Sequence, residues 1–254
     1  MRPVVVTGGT GTLGRSVVRE LREAGAEVRV LSRRAGDGHV VGDLTTGAGL
    51  DDAVRGVGAI VHCATDTRVP RNDVTGIRNL TEAAHRHGAP RLVYVSIVGV
   101  DRVPFPYYRV KHEVEGIVVE SGLPWTILRA TQFHDLVLTL SRFLARSPVM
   151  VVPAGTSVQP VDAAEVAARL AQLALAAPAG WAPEFGGPEV VPFTDLARAY
   201  LRARGIRRPV LPVRLPGRVA RAYREGGHLT PGHAAGRRTY AEFLADRVGT
   251  ERTG

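Results

Sequence analysis

Residues 3–14 read PVVVTGGTGTLG, and this stretch decides the fold. The apolar, β-branched run at 3–7 reads as a strand, and it leads straight into glycines at positions 8, 11 and 14. Beyond them Leu13, Val17, Leu21 and Ala24 recur at helical spacing, so residues 13–24 read as a helix whose apolar stripe faces a sheet. Glycine in such a turn permits the tight bend, lets backbone N–H groups approach a pyrophosphate, and allows the helix to pack closely on the strand. Gly8, Thr10, Gly11, Thr12, Leu13 and Gly14 are therefore candidates for holding a dinucleotide.

The same rhythm continues outward from this unit. Short Val-, Ile- and Leu-rich runs at 27–32, 39–41, 59–63, 92–96, 125–129 and 149–152 read as further strands of a parallel sheet covered on both faces. Helical stretches at 74–87, 107–121 and 163–176 alternate with them. The expected fold class is α/β, a doubly wound, Rossmann-like parallel sheet over residues 1–180. After Pro183 the pattern changes: Gly186, Gly187 and Pro188 interrupt the chain, and Thr194 reads as the cap of a helix ending at Ala203. Pro209, Pro212 and Pro216 break up the next segment, and two more short helices are expected. Residues 181–254 are thus read as a small, mostly helical, substrate-binding lobe.

Composition narrows the class. The 254 residues hold 44% hydrophobic and 22% charged side chains, as in a soluble globular protein, and no apolar run is long enough to span a bilayer. Met1 is followed almost at once by the first strand, so a signal peptide is not expected and a cytoplasmic setting is. Cys63 is the single cysteine and reads as a small buried hydrophobe; no disulfide or cysteine-rich metal site can form, and no metal site is expected. Of the net charge of +9, a surplus of +8 lies from residue 200 onward, where 12 arginines face 4 acidic groups. Such a surplus either attracts an anionic substrate or is a solvated face. Nucleic acid binding is not expected, since no zinc-finger spacing or helix-turn-helix pattern accompanies it. A small-molecule ligand and a monomer or homodimer are.

Beyond the glycine turn, the second strand ends in VLSRR. An acidic residue there would take a ribose 2′-hydroxyl; Ser32 and Arg33 instead suit a 2′-phosphate, which points to NADP(H) rather than NAD(H). Arg34 reads as a solvated loop residue. Asp43, just past the third strand, has two readings: acceptor for the adenine amino group, with Leu44 packed on the ring, or turn residue. Ala64 and Thr65, after the fourth strand, are small enough for a cofactor to pass over the sheet edge. Thr131, Gln132 and Phe133, after the sixth, would line its nicotinamide end. His134 is either an alternative acid or a capping and packing residue, and Asp162 fits a helix N-cap.

Lys111 is the only lysine among 33 basic side chains. It follows Tyr107 by four positions in PYYRVK, so both project from one face of a helix that Pro104 and Pro106 favour starting nearby. A neighbouring ammonium stabilises tyrosinate and would lower the Tyr107 pKa towards the range useful for proton transfer. Tyr108, adjacent, is the competing phenol, although it loses the spacing to Lys111.

Together TGGTGTLG, VSIVGVD, PYYRVK, PWTILRATQFHD and VQPVDAAEVA resemble the short-chain dehydrogenase/reductase superfamily, in its atypical, NmrA-like branch. The resemblance covers about residues 1–180. It implies Tyr107 as proton donor, Lys111 as holder of the nicotinamide ribose, and Ser96, at the end of the fifth strand, as a hydrogen-bond donor to the developing oxyanion. HCAT after the fourth strand departs from the asparagine-rich motif of the best-known branch. The expected activity is NADP(H)-dependent reduction of a small carbonyl, enone or quinone-like compound. The alternatives are a non-enzymatic NAD(P)H sensor, and an enzyme like the nucleotide-sugar epimerases or dehydratases.

Overall fold

A computed structural model describes residues 2–36 and 38–252 of the chain. In chain order the elements are β1 (Val4–Thr7), α1 (Thr12–Glu23), β2 (Val28–Ser32), β3 (His39–Val41), α2 (Leu50–Val54), β4 (Ala59–His62), α3 (Arg71–Arg86), β5 (Arg91–Ile97), α4 (Pro106–Glu120) and β6 (Trp125–Ala130). There follow α5 (His134–Leu144), β7 (Met150–Pro153), β8 (Ser157–Val158), α6 (Ala163–Leu175), β9 (Gly180–Trp181), β10 (Val191–Pro192), α7 (Phe193–Ala203), β11 (Val210–Val213) and α8 (Arg218–Arg224). A short 3-10 turn (Pro231–His233) precedes α9 (Tyr240–Arg252).

The chain divides into two compact units, each assembled from separated segments. The first comprises Met1–Ser96, Pro106–Arg129 and Ala164–Pro183. Its seven-stranded parallel sheet has the order β3-β2-β1-β4-β5-β6-β9. β1 is fully buried because it pairs on both sides, Val4 with Val28 of β2 and with Ala59 of β4. A strand so placed must be apolar on both faces, which is what VVV supplies. The chain runs outward through β2 and β3, then returns to the other side of β1 for β4. The carboxyl ends of β1 and β4 are thus the topological switch point, where ligands of open α/β sheets bind.

Helices cover this sheet through matched apolar stripes. On α1, Leu13, Val17, Val18 and Leu21 are buried against β1 and β2. Ala24 is exposed as the C-cap and does not join that stripe, because the helix ends one residue before it. α3 and α4 pack on each other, and Ile77, Leu80, Val114 and Val118 share one core with Ile60, Leu92, Tyr94 and Ile127. Beneath it Arg129 of β6 meets the buried Glu115 of α4 in a two-pronged ion pair, Nε to Oε1 at 2.8 Å and Nη2 to Oε2 at 2.7 Å.

The second unit comprises Ile97–Phe105, Ala130–Ala163 and Glu184–Gly254. Here α5, α7 and α9 enclose a core containing Val137, Leu138, Met150, Phe193, Tyr200, Tyr240 and Phe243. Two expectations change in this unit. The run at 149–152 does form a strand, but β7 pairs in parallel with β11, Met150 opposite Val210, and not with the large sheet. Its side chains alternate buried and exposed, the mark of a strand with one covered face. β11 itself arises in the proline-interrupted segment; Pro212 is tolerated because a two-stranded sheet consists only of edges. Thr194 does not cap α7. The helix begins at Phe193, whose N–H donates to the Thr156 carbonyl at 2.9 Å next to the β8–β10 pairing, so Pro192 occupies the cap position.

Candidate cofactor and active site

The turn after β1 is closed by the Gly11 N–H donating to the Gly8 carbonyl at 2.9 Å. Gly8 has φ +68°, a left-handed conformation that disfavours other residues. A Cβ there would stand 2.6 Å from the Ala64 backbone nitrogen, and a Cβ on Gly14 would stand 2.1 Å from the Gly8 carbonyl oxygen. The first turn of α1 contains no acidic residue, and its cap, Gly11, offers no side-chain hydrogen bond. Thr10, Gly11 and Thr12 are exposed, while Leu13 and Gly14 are buried. Backbone donors and the positive end of a twelve-residue helix are therefore open to an anion, in a cradle that side chains would fill. These residues fit a dinucleotide pyrophosphate.

Other predicted contacts stand on the neighbouring strand ends. Ser32 closes β2; its Oγ accepts the Arg34 N–H at 3.1 Å and keeps its own proton to donate elsewhere. Arg33 and Arg34 are exposed. Asp43 Oδ1 accepts the Thr45 N–H at 2.7 Å, an Asx turn that shapes the loop after β3. Leu44 packs over Gly76 of α3, and its carbonyl takes the Asn79 amide at 2.8 Å.

The loop after β4 gathers a hydrogen-bonded cluster. Thr65 Oγ donates to Asp73 Oδ2 at 2.6 Å and lies 2.9 Å from the Tyr107 hydroxyl. Asp73, 7% exposed at the start of α3, also takes the Asp66 N–H on its other oxygen. Ala64, which abuts Gly8, is adjacent to Thr65, so the Tyr107 phenol stands one residue from the glycine turn. Of the two tyrosines, Tyr107 is half-buried and Tyr108 buried.

Lys111 lies one turn along α4 from Tyr107, 4% exposed, with Nζ 4.6 Å from the centre of the Tyr94 ring. Burial pulls its pKa down to about 8, against the opposing pull of Asp73, Cys63 and Glu115. The expected lowering of the Tyr107 pKa is not found: that phenol is shifted upward. Burial is the main cause and the Asp73 charge adds to it. The ammonium sits over the Tyr94 ring, and desolvation of the phenol prevails. Ser96, at the end of β5, is 3% exposed, and its Oγ has no hydrogen-bond partner among the described residues.

Two buried groups beside this cluster, His62 and Asp73, are not marked as site residues by the sequence. His62 stacks on Tyr94 with ring centres 5.6 Å apart and meets Thr7 Oγ through Nδ1 at 2.8 Å. Burial pushes its pKa down to about 3, so the imidazole is neutral. Asp73 is signalled only by an acid in the first turn of a helix that follows a strand end. Cys63 is held as a thiol, its pKa pushed up to about 12 by burial.

Thr131, Gln132 and Phe133 belong to the second unit. Thr131 is buried, with its N–H on the Phe185 carbonyl and its Oγ accepting the Gly187 N–H at 3.2 Å. Phe133 caps α5 and pairs with Val161. His134 Nε2 meets the Arg238 carbonyl at 3.0 Å, and the ring lies tilted against Phe243 and Tyr240, 5.1 and 5.8 Å away centre to centre. Asp162, just before α6, takes the Arg238 guanidinium at 2.6 Å. Among the described residues no helix is long and apolar enough to cross a membrane.

The NAD(P)H-binding family matches residues 8–174, more than half of the chain. A (4-alkanoyl-5-oxo-2,5-dihydrofuran-3-yl)methyl phosphate reductase of Streptomyces griseus subsp. griseus is 31% identical over 202 residues, which cover 74% of this chain and 69% of that one. A photosystem II assembly factor of Cyanophora paradoxa is 27% identical over 181 residues, and there the matched stretch spans only 56% of the relative. Among solved structures, an Escherichia coli NADPH-dependent quinone oxidoreductase complexed with NADPH superimposes with a TM-score of 0.82, at 20% identity, over 96% of this chain and 99% of that one. The chain belongs to the NAD(P)H-binding family.

Proposed function

We propose that the protein is an NADP(H)-dependent reductase of a small carbonyl, enone or quinone-like compound, with Tyr107 as the proton donor. One observation carries this reading: the Tyr107 hydroxyl is bonded to Thr65, next to the Ala64 backbone that closes on the glycine turn. When bound, the nicotinamide supplies a hydride. The chain's own groups do the rest. Gly8, Thr10, Gly11, Thr12, Leu13 and Gly14 hold the pyrophosphate with backbone N–H groups at the start of α1. Ser32 and Arg33 take the 2′-phosphate, Ser32 through its remaining proton and Arg33 through its guanidinium. The free oxygen of Asp43 accepts the adenine amino group beside Leu44. Lys111 holds the ribose on the nicotinamide side, and Ala64 borders the cofactor's path.

Ser96 and Tyr107 then act on the substrate oxygen. The partnerless Ser96 hydroxyl donates a hydrogen bond to the oxygen as negative charge grows on it. Tyr107 gives up its phenolic proton, so that one hydride and one proton convert the carbonyl to an alcohol. A raised phenol pKa keeps that proton in place until the oxyanion, a stronger base, forms. The reductase named among the relatives supports the activity class.

A second reading, a nicotinamide-dependent regulator without turnover, has one observation in its favour: the Tyr107 proton is engaged by Thr65. Measuring NADPH consumption against ketones, enones and quinones separates the two. Turnover that falls at least a hundredfold in Tyr107→Phe supports the reductase. Tight NADPH binding without turnover across the panel supports the regulator.

A further inference from the structure

The second unit contains a cavity of about 410 Å³, within the range of small-molecule sites, roughly 300–1,000 Å³. Its walls are almost wholly apolar. Three lining residues, Leu136 and Leu140 of α5 and Leu215 after β11, are 57%, 40% and 47% exposed, so the cavity opens to solvent along an apolar rim. Gln132, Thr156, Tyr223 and His228 are its uncharged polar residues. His228 is fully buried with Nε2 2.9 Å from the Ser157 carbonyl oxygen, and burial keeps the ring neutral, with a pKa of about 4.

The one charged residue in the wall is Arg224 of α8, and among the described residues no carboxylate lines the cavity. The Arg224 stem passes over the backbone of Gly155, where a Cβ would stand 3.5 Å from Cδ. Its Nη1 donates to the Leu215 carbonyl at 2.8 Å. The guanidinium is thus held at the open rim, beside exposed Leu215, on a residue that is itself half-buried. That bond uses one of five N–H donors, and among the described residues Arg224 makes no ion pair. Of the neighbouring acids, Asp135 is taken by Arg247 at 3.0 Å, and Glu225 is exposed and lies outside the wall. The surrounding chain adds to the positive field, since residues 196–224 hold nine arginines and no acidic residue. A guanidinium with donors to spare, beside an apolar space, is complementary to a molecule that brings both an apolar body and an anion.

We infer that this cavity binds an amphiphilic anion, with an alkyl or aryl body in the apolar space and one carboxylate at the rim, on Arg224. Burial of the apolar body supplies the driving force, while the guanidinium selects the sign of the head and fixes which end faces out. The site stands apart from the proposed reduction, and its test is run without cofactor.

The probes are octanoate, 1-octanol and octylammonium, which share a chain and differ in the charge of the head. Binding to the full chain at neutral pH is followed by calorimetric titration. For the wild type we expect octanoate to bind tighter than 1-octanol by roughly tenfold, the worth of one charge-assisted pair at a partly open site, and octylammonium to bind weakest. Arg224→Gln should bind octanoate no tighter than 1-octanol while keeping the wild-type affinity for 1-octanol, which also reports that the cavity is intact. Arg224→Lys keeps the charge and should retain part of the preference. Val219→Trp, which fills the space and leaves Arg224 in place, should lose all three, with urea unfolding showing that the fold persists. Octylammonium binding as tightly as octanoate, a preference for octanoate that survives Arg224→Gln, no binding of any probe, or octanoate binding that survives Val219→Trp would overturn the inference.

Discussion

The hydroxyls of Tyr107 and Thr65 lie 2.9 Å apart, and the direction of that bond is settled by a third residue. Thr65 has one proton, and it is committed to Asp73 Oδ2 at 2.6 Å, so Tyr107 must be the donor. The Asp73 charge raises the Tyr107 pKa. Asp73→Asn should therefore move the alkaline limb of the pH–rate profile downward. A limb that stays in place or moves upward would mean that another group titrates.

Gly14→Ala tests the cradle. Its Cβ would lie 2.1 Å from the Gly8 carbonyl oxygen, which is backbone and cannot step aside. The expected outcome is a loss of NADPH affinity of at least a hundredfold, with roughly 1–3 kcal/mol of stability lost to overpacking. Calorimetric titration of the folded variant measures the first and urea unfolding the second. Full retention of NADPH affinity would mean that the turn does not hold the pyrophosphate.

His62 gives an acid-side signature. Its pKa is about 3 in the fold, against 6.5 for a free side chain, so between these values the unfolded chain binds the extra proton. Stability contributed by neutral His62 is complete above pH 6.5 and falls as the pH drops towards 3, by roughly 1 kcal/mol per pH unit in mid-window. In urea unfolding the advantage of the wild type over His62→Gln should narrow on acidification. An advantage that widens would show that the native state charges this ring.

The Glu115–Arg129 pair is a structural prediction apart from the site. Glu115 is 1% and Arg129 14% exposed, and two hydrogen bonds join them. Arg129→Met leaves the buried carboxylate with only the exposed His112 ring, 3.2 Å from Oε2, beside it and should cost roughly 3 kcal/mol. Adding Glu115→Gln removes that charge and should recover part of the loss. Additive losses in the double variant would show the two residues to be uncoupled.

How much was legible in the sequence depends on the range of each interaction. VVV followed by spaced glycines marks a buried central strand, a turn and a helix, all within neighbouring residues, and β1 and α1 lie there within a residue or two. The Tyr107–Lys111 spacing is local as well. What Lys111 points at is not: Tyr94, whose ring lies under the ammonium, is on another element. Thr65 with Tyr107, and Thr7 with His62, join residues 42 and 55 positions apart, which no periodicity reveals. In the second unit the prolines at 209, 212 and 216 suggest broken chain. The parallel pairing of β11 with β7 is a tertiary contact that overrides the local preference.

The most direct test compares the wild type with Tyr107→Phe in NADPH oxidation, using the best substrate from a panel of ketones, enones and quinones. The account predicts a fall in kcat of at least a hundredfold, with the Kd for NADPH unchanged, because the phenol donates a proton and does not hold the cofactor. An unchanged kcat in Tyr107→Phe would contradict it.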